Sequence, residues 1–343
     1  MKFKTWVSIV TFLLLVAVIY FAREELVAAW NLLDEVNLGV LLWIIPVQIF
    51  SYYATGAIIF SYLRAKGNVK HLTHWQMTRI ALELNFVNHI LPSGGAVGFS
   101  YLGWLLHKHG VGAGRATMAQ IVRFAFTFIS FILLLILSVI VIAFDGAINS
   151  LVILLSAVLV MAAVATSAGT IYIIKSERRL KRFAHWLTRA LNKCVRVVSR
   201  GKKQEVLAYQ VVEHFLEELH QDYLELRAEK KILARPFAWA TVANIADVAL
   251  LSIAFMALGV WVNPAMILIA FGISSIASAL TITPGGAGVY EAIMIAFLAT
   301  AGVNPQAAIL GTLLARVLLI LGTIVFGYVF YQLTILRYGK RPA

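Results

Sequence analysis

Long apolar segments constrain this chain more than any other feature of its sequence. They occupy residues 5–22, 38–63, 116–144, 148–174, 236–260 and 305–333. A helix needs about 20 consecutive apolar residues to cross the hydrocarbon core of a bilayer, and these segments match that need. Only 13% of the residues are charged, whereas soluble domains contain about 25%. The sequence therefore predicts an all-α polytopic membrane protein with about six full spans.

The first apolar segment follows Lys2 and Lys4 and resembles a signal sequence. Its apolar run is longer than a typical signal core, and the residues after it, Ala22 to Glu25, are a poor cleavage site because most of them are charged. We therefore expect 5–22 to be an uncleaved first transmembrane helix.

Two further apolar stretches, 75–107 and 265–301, are each interrupted in the middle. The first contains Pro92-Ser-Gly-Gly95, and the second contains Pro284-Gly-Gly286. Proline lacks a backbone donor, and glycine adopts conformations that other residues resist, so both motifs break a helix. The remaining pieces, of roughly 15 residues, are too short to span a bilayer alone. They are typical of re-entrant hairpins, or of helices broken at membrane depth.

The basic residues predict how the chain is oriented in the membrane. The N-terminus, the loop 64–74 and the segment 175–235, which holds about half of all lysines and arginines, belong on the cytoplasmic side. The acidic loop 23–37 belongs outside. Both termini are then cytoplasmic, and the net charge of +13 reflects topology rather than binding of nucleic acid, which we do not expect.

The segment 175–235 is strongly basic at first and then shows apolar residues at helical spacing, which predicts an amphipathic helix. We expect it to belong to a single membrane domain, 1–343, rather than to form a globular domain of its own. Two roles remain open for it: a connector that lies on the helix bundle, or a regulatory helix that docks a partner.

The interrupted stretches belong to a larger repeat. Repeat A, 38–144, and repeat B, 236–333, both read helix, broken hairpin, helix. From Pro92 to Arg123 is 31 positions, and from Pro284 to Arg316 is 32. The linking transmembrane helix, 148–174, crosses once between the repeats, so the second begins on the opposite side of the membrane. This predicts an inverted-topology repeat, an organisation common in transporters, whose sites lie where discontinuous helices meet.

Each break starts a new half-helix, near Ala96 and near Ala287, with unpaired N–H groups and the positive end of a helix dipole. Such an end is suited to phosphate or carboxylate. The candidate substrate-binding residues lie at the two breaks and on the helices after them: Asn88, Pro92, Gly94, Gly95, Arg123, Pro284, Gly285, Gly286, Gly288, Glu291 and Arg316. Arg79, Glu83 and Asp247 are candidates for coupling or for contacting a headgroup. Of the acidic residues, Glu291, Glu83 and Asp247 would contact a cationic headgroup moiety or carry a coupling proton.

Simpler interpretations of these residues stay open. The breaks are also compatible with kinks that only allow close helix packing, and the arginines with side chains that snorkel to the interface. The other polar residues are compatible with hydrogen bonds between helices that have no further function. Catalysis is not expected, because the sequence has no nucleophile motif, metal-ligand set or nucleotide-binding loop, and with the single Cys194 it predicts neither a metal site nor a cofactor.

Three parts of the sequence resemble one known family. They are Asn88-His-Ile-Leu-Pro-Ser-Gly-Gly95, the segment Thr283-Pro-Gly-Gly-Ala-Gly-Val-Tyr-Glu291, and the arginine-bearing helix that follows. They resemble the flippase-like membrane domain of lysylphosphatidylglycerol synthetases over nearly the whole chain. That resemblance implies movement of aminoacylated phosphatidylglycerol between leaflets. The chain stops ten residues after the last apolar segment, so we expect the lipid-synthesising half to be absent. Relatives often carry a charged residue soon after the first glycines, where this chain has Ala96 to Tyr101 without one.

The sequence thus favours a lipid translocase or lipid-binding transporter for an anionic or aminoacylated phospholipid, in the cytoplasmic (inner) membrane. Expected partners are membrane phospholipids with anionic headgroups, with a lipid-synthesis enzyme and a second copy of the chain as further possibilities. Two alternatives stay open. One is a non-transporting scaffold for lipid synthesis, and the other is an ion-coupled carrier of a small anion.

Overall fold

The computed structural model describes residues 36–90, 96–144, 150–179, 230–279 and 288–338, with a few single positions between them. These residues are helical and contain no strand, as the composition predicts. The predicted first span, 5–22, lies outside the described residues, as do Pro92, Gly94, Gly95, Pro284 and Gly285, and most of 175–235.

Ten helices fall within the described ranges. In chain order they are α1 Leu38–Leu41, α2 Ile44–Ala65, α3 His74–Ile90, α4 Ala96–Lys108, α5 Ala113–Phe144, α6 Ser150–Ile174, α7 Lys230–Ala257, α8 Pro264–Ala279, α9 Val289–Thr300 and α10 Pro305–Tyr338.

Among the described residues, four segments are long and apolar enough to cross a membrane: Leu38–Ala65, Arg115–Phe144, Lys231–Ala257 and Pro305–Tyr338. They correspond to four of the spans predicted from the apolar pattern. The helix α6 has 25 residues and coincides with a fifth predicted span. Apolar helices α8 and α9 are short, with 16 and 12 residues, and neither alone reaches the length of about 20 residues that a span requires.

The helices on either side of each break make contacts that mirror each other. In the first half, α3 packs against its neighbour α4, on the other side of the break, and against α10, the last helix of the second half. In the second half, α8 packs against its neighbour α9 and against α5, the last helix of the first half. We call the two helices on either side of a break a broken pair, α3 with α4 and α8 with α9, and each helix an arm of its pair. The first arm of each pair thus packs on the last, long helix of the other half.

Glycines allow the central helices to approach closely. A Cβ on Gly311 of α10 would overlap the ring of Phe255 on α7, and one on Gly322 would overlap the amide of Gln48 on α2. A Cβ on Gly56 of α2 would come within 2.8 Å of Ala81 on α3. Small residues serve the same purpose wherever apolar helices pack inside a bilayer. Here they bring α2, α7 and α10 together around a shared interior.

Large aromatic side chains are exposed near helix ends, where the membrane interface favours them. Trp43 and Trp261 are 64% and 72% exposed, and Trp75, at the start of α3, is 60% exposed. By its internal contacts the chain divides into two compact units, Met1–Val160 with Arg235–Ala343, and Met161–Ala234. The candidate site lies entirely in the first unit.

Candidate functional site

The second glycine motif separates α8 from α9. The helix α8 ends at Ala279, and α9 begins at Val289, close to the position predicted from the sequence. Gly286 and Gly288 have φ angles of 71° and 87°, which non-glycine residues rarely adopt. A Cβ on Gly286 would also collide with Ser278, near the end of α8. The backbone at this turn therefore requires glycine for two separate reasons.

Glu291 anchors the first turn of α9 to α10. Its Oε1 lies 2.8 Å from Nε of Arg316, and its Oε2 accepts a hydrogen bond of 2.6 Å from the backbone N–H of Gly288. The guanidinium carbon of Arg316 also lies 4.7 Å from the ring centre of Tyr290. Both charged side chains are largely buried, at 15% exposed for Arg316 and 9% for Glu291. Each charge thus has an opposite charge beside it, which burial makes necessary.

Arg316 lines a cavity of about 350 Å³ whose other lining residues come from α2, α3, α7, α8, α9 and α10. Helices from both halves of the sequence contribute to its wall. Its charged lining residues are Arg316 on α10 and Asp247 on α7, and hydroxyl groups come from serines and threonines on α2, α8 and α10. Two of the predicted site residues, 69 positions apart in the chain, therefore meet in one cavity.

A hydrogen-bond network forms one side of this cavity. Ser51 Oγ donates to Asp247 Oδ1 at 2.6 Å. Gln48 Nε2 donates to the Tyr52 hydroxyl at 2.7 Å and to the Leu319 carbonyl at 2.9 Å, and the Tyr52 hydroxyl lies 2.6 Å from Thr323 Oγ1. These bonds connect α2 with α7 and α10, so the polar wall is held in a defined geometry.

Arg79 and Glu83 belong to a different network, at the contact of α3 with α4 and α10. Arg79 Nε donates to Glu83 Oε1 at 2.9 Å, and Thr334 Oγ1 donates to the same oxygen at 2.7 Å. The Tyr101 hydroxyl donates to the other carboxylate oxygen, also at 2.7 Å. Glu83 is fully buried, and neither Arg79 nor Glu83 lines the cavity. This arrangement gives both carboxylate oxygens a partner and stabilises the first broken pair.

Arg123 is placed differently from Arg316. It does not line the cavity, and its guanidinium carbon lies 4.2 Å from the ring centre of Phe124. Its Nε is buried and makes no hydrogen bond within the described part of the chain. Asn88, at the end of α3, lies against Gly98 of α4, where a Cβ would overlap the Asn88 amide. The helix α4 begins at Ala96, as predicted for the new half-helix.

Several polar residues that line the cavity were not predicted from the sequence. Gln48, Ser51 and Tyr52 lie on α2 at helical spacing within an apolar span, and Thr312 and Thr323 lie on α10. The spacing of Gln48, Ser51 and Tyr52 could have indicated them, because residues three or four positions apart share one helix face. Thr312 is 1% exposed, and its Oγ1 makes no hydrogen bond among the described residues.

Among curated proteins, none matches the chain. The profile of the family described as the lysylphosphatidylglycerol synthase TM region matches residues 5–327 of the 343. That range includes both glycine motifs, the arginine-bearing helices and every residue that lines the cavity. The chain therefore belongs to the lysylphosphatidylglycerol synthase transmembrane-region family.

Proposed function

We propose that this protein binds phospholipid headgroups in the cavity between its helices and carries them between the leaflets of the cytoplasmic membrane. The observation that carries the proposal is a cavity lined by Arg316 and Asp247 inside a protein whose long helices are apolar. Ionisable residues within membrane spans are costly, and they normally mark a substrate or ion pathway. Membership of a family named for a lipid synthase supports a lipid as the substrate. The proposed activity is transport, with no chemical change to the lipid.

The charges around the cavity complement a phospholipid headgroup that has a phosphate and an ammonium group. The guanidinium of Arg316 has several N–H donors, which suits phosphate oxygens. The carboxylate of Asp247 suits an ammonium group. This combination favours an aminoacylated or otherwise amine-bearing lipid over a lipid that is only anionic.

The position of the charged residues along their helices supports a site at membrane depth. Arg316 is 11 residues after Pro305, where α10 begins, and Asp247 is 10 residues before Ala257, where α7 ends. At a rise of about 1.5 Å per residue these separations correspond to roughly 16 Å and 15 Å. In the predicted orientation both helix ends face outside, so both side chains reach about the middle of a hydrocarbon core that is about 30 Å thick.

The contacts between the two halves support an inverted-topology repeat. The first arm of each broken pair, α3 or α8, packs on the last helix of the other half, α10 or α5. We propose that the halves have opposite orientations and that both pairs are re-entrant. Motion of one half against the other would then open the cavity alternately to each leaflet, as in other transporters with inverted repeats.

Arg123 is proposed to act on lipid phosphate outside the cavity. It occupies the position in repeat A that Arg316 occupies in repeat B, but no acidic side chain within the described residues forms an ion pair with it. The neighbouring Phe124 is 49% exposed, which places this part of α5 at the protein surface. A headgroup that moves along this surface would meet a cation there before it reaches the cavity.

A carrier of a small soluble anion is the second candidate, because the volume of the cavity favours it. At about 350 Å³ the cavity is near the lower end of the range of roughly 300–1,000 Å³ that is typical of ligand sites. It accommodates a headgroup or a small solute but not acyl chains. The lipid therefore has to enter with its chains remaining in the bilayer, which a soluble anion does not require.

Lipid movement in proteoliposomes tests the proposal. The full chain is reconstituted into vesicles that contain phosphatidylethanolamine or phosphatidylglycerol with a fluorescent label on an acyl chain. Dithionite then quenches the label in the outer leaflet, and continued quenching reports lipid that has moved outward. We expect continued quenching that depends on the protein and is faster for phosphatidylethanolamine. Identical traces for vesicles with and without protein would contradict the proposal.

Two variants separate the cavity from the surface in this assay. The double variant Arg316→Gln with Glu291→Gln removes the buried pair without leaving a lone charge, and we expect it to slow lipid movement. The matched control is Arg182→Gln, because Arg182 is an exposed arginine of the basic segment. If the control loses lipid movement while the double variant keeps it, the result would favour lipid binding at the surface and therefore the scaffold alternative.

A further inference from the structure

Asp247 is a carboxylate at the cavity whose charge no side chain of the described residues balances. It accepts one hydrogen bond, from Ser51. No lysine, arginine or histidine nitrogen among the described residues lies within 4.0 Å of it. Arg316 does not balance it, because its ion pair is with Glu291 at 2.8 Å. The Arg316–Glu291 pair is neutral as a unit, so an ionised Asp247 leaves the site with a net charge of −1.

The surroundings of Asp247 show how this charge can be neutralised. Tyr52 faces the cavity from α2, Tyr290 from α9 and Arg316 from α10, and Glu291 stands behind Arg316. The lining residues from α3 and α8 are all neutral. An unbalanced carboxylate inside a membrane protein is unfavourable, so it takes up a proton or a cation. When the cavity is empty, a proton on Asp247 itself is the simplest solution.

Thr312 supplies the cavity with a hydroxyl group that has no hydrogen-bond partner among the described residues. Its side chain is 1% exposed and lines the same cavity, one helical turn before Arg316. Its Oγ1 has no hydrogen-bond partner among the described residues, and a buried polar atom without a partner is costly. Protonation of Asp247 does not give Thr312 Oγ1 a hydrogen-bond partner. A primary ammonium group has three N–H donors, enough for a carboxylate and for additional oxygens.

We propose that Asp247 carries a proton while the cavity is empty and exchanges it for a primary ammonium group when a substrate binds. In this step the O–H bond of the carboxylic acid breaks and the proton passes to water. The carboxylate then accepts an N–H from the ammonium group, so Asp247 and the group bound to it together carry no net charge before or after binding. The inference rests on the proposed function in one respect, since there the ammonium group arrives on a lipid headgroup. Transport of an amine-bearing lipid would then be coupled to a proton moving the opposite way.

Infrared spectroscopy of the purified full chain tests the protonation directly. Without added amine at pH 7, the wild type should show a C=O stretching band of a protonated carboxyl that is absent from Asp247→Asn. Adding short-chain phosphatidylethanolamine should remove this band in the wild type. Short-chain phosphatidylglycerol, which has no amine, should leave it unchanged. Free ethanolamine is the third ligand, and it shows whether the amine suffices without the phosphate and glycerol.

The variants guard against a loss of folding. Asparagine resembles a protonated aspartic acid in shape and charge, so Asp247→Asn should unfold at the same temperature as the wild type or at a higher one. Ser252→Ala on the same helix is the matched control, because Ser252 donates to the Val248 carbonyl one turn earlier in its own helix. The spectrum of this variant should equal that of the wild type. Identical spectra for the wild type and Asp247→Asn would overturn the proton exchange. Lipid movement in the dithionite assay despite that result would leave the proposed transport function intact.

Discussion

Glu291 and Arg316 form a buried ion pair, with 2.8 Å between Oε1 and Nε, and the same glutamate accepts the N–H of Gly288 with its other oxygen. One carboxylate thus holds the start of α9 in place and also balances the charge on α10. A negative side chain in the first turn of a helix is further favoured by the helix dipole. The pair therefore links the second glycine motif to the helix that follows it.

A double-mutant cycle on this pair should reveal strong coupling. Arg316→Gln and Glu291→Gln each leave one buried charge without a partner, which typically costs about 3–5 kcal/mol. The double variant removes both charges, so we expect it to be more stable than the sum of the single effects implies. Thermal unfolding of the four proteins in one detergent measures this. Additive effects would show that the two side chains do not depend on each other.

The glycine turn before α9 should tolerate alanine at neither of its two described glycines. Gly288→Ala should cost about 1–3 kcal/mol, because its φ of 87° is unfavourable for alanine although its surroundings are open. Gly286→Ala should cost more, because the collision with Ser278 is added to a φ of 71°. The unfolding temperatures of the variants give the order directly.

The control for this comparison is Gly103→Ala on α4. Nothing lies within 4 Å of the position that a Cβ would take there, and its φ is not positive. Alanine in a helix is favoured over glycine by roughly 0.5–1 kcal/mol, so this variant should be as stable as the wild type or slightly more stable. If Gly286→Ala unfolded at the same temperature as Gly103→Ala, the turn before α9 would not require glycine at position 286.

His109 should make the C-terminal end of α4 sensitive to acid. Burial lowers the pKa of His109 below its ordinary value of 6.5, and the nearby His71, Arg337 and Arg79 lower it further. The unfolded chain therefore protonates this imidazole at a higher pH than the folded protein does. The stability that the neutral ring supports is present above pH 6.5 and is lost as the pH falls through the lowered pKa.

Hydrogen exchange measures this effect at the turn that follows α4. After correction for intrinsic rates, amides around 107–111 should exchange faster at pH 5 than at pH 7.5. In His109→Gln the difference between the two pH values should shrink, because glutamine does not titrate. An unchanged difference in this variant would show that His109 is not the group responsible for the effect.

The topology prediction is checked by cysteine labelling in intact cells, with Cys194 first replaced by serine. Single cysteines in 23–37 and 302–305 should react with an impermeant reagent, because these loops are predicted to lie outside. Cysteines in 64–74 and 176–234 should react only after the cells are opened. Labelling of 64–74 from outside would remove the opposite orientation of the two halves.

The sequence by itself determined the helices of this protein, because their signals are local. Apolar length predicted about six spans, and four of them correspond to helices of the described residues that are long and apolar enough to cross a membrane, Leu38–Ala65, Arg115–Phe144, Lys231–Ala257 and Pro305–Tyr338. The backbone chemistry of proline and glycine predicted where helices would stop. The structure agrees, since new helices begin at Ala96 and at Val289. Such properties depend on a few neighbouring residues and need no knowledge of the rest of the chain.

Only the tertiary structure decided which polar side chains meet. Ser51 and Asp247 are hydrogen-bonded across 196 positions, and Tyr52 and Thr323 across 271. Such pairs depend on how each helix is rotated about its axis and on which neighbour it packs against. Arg123 and Arg316 have almost the same spacing from a proline, yet only Arg316 lines the cavity and forms an ion pair with a glutamate. The sequence determines the spacing between each proline and its arginine, whereas packing between helices determines which side chain each arginine contacts.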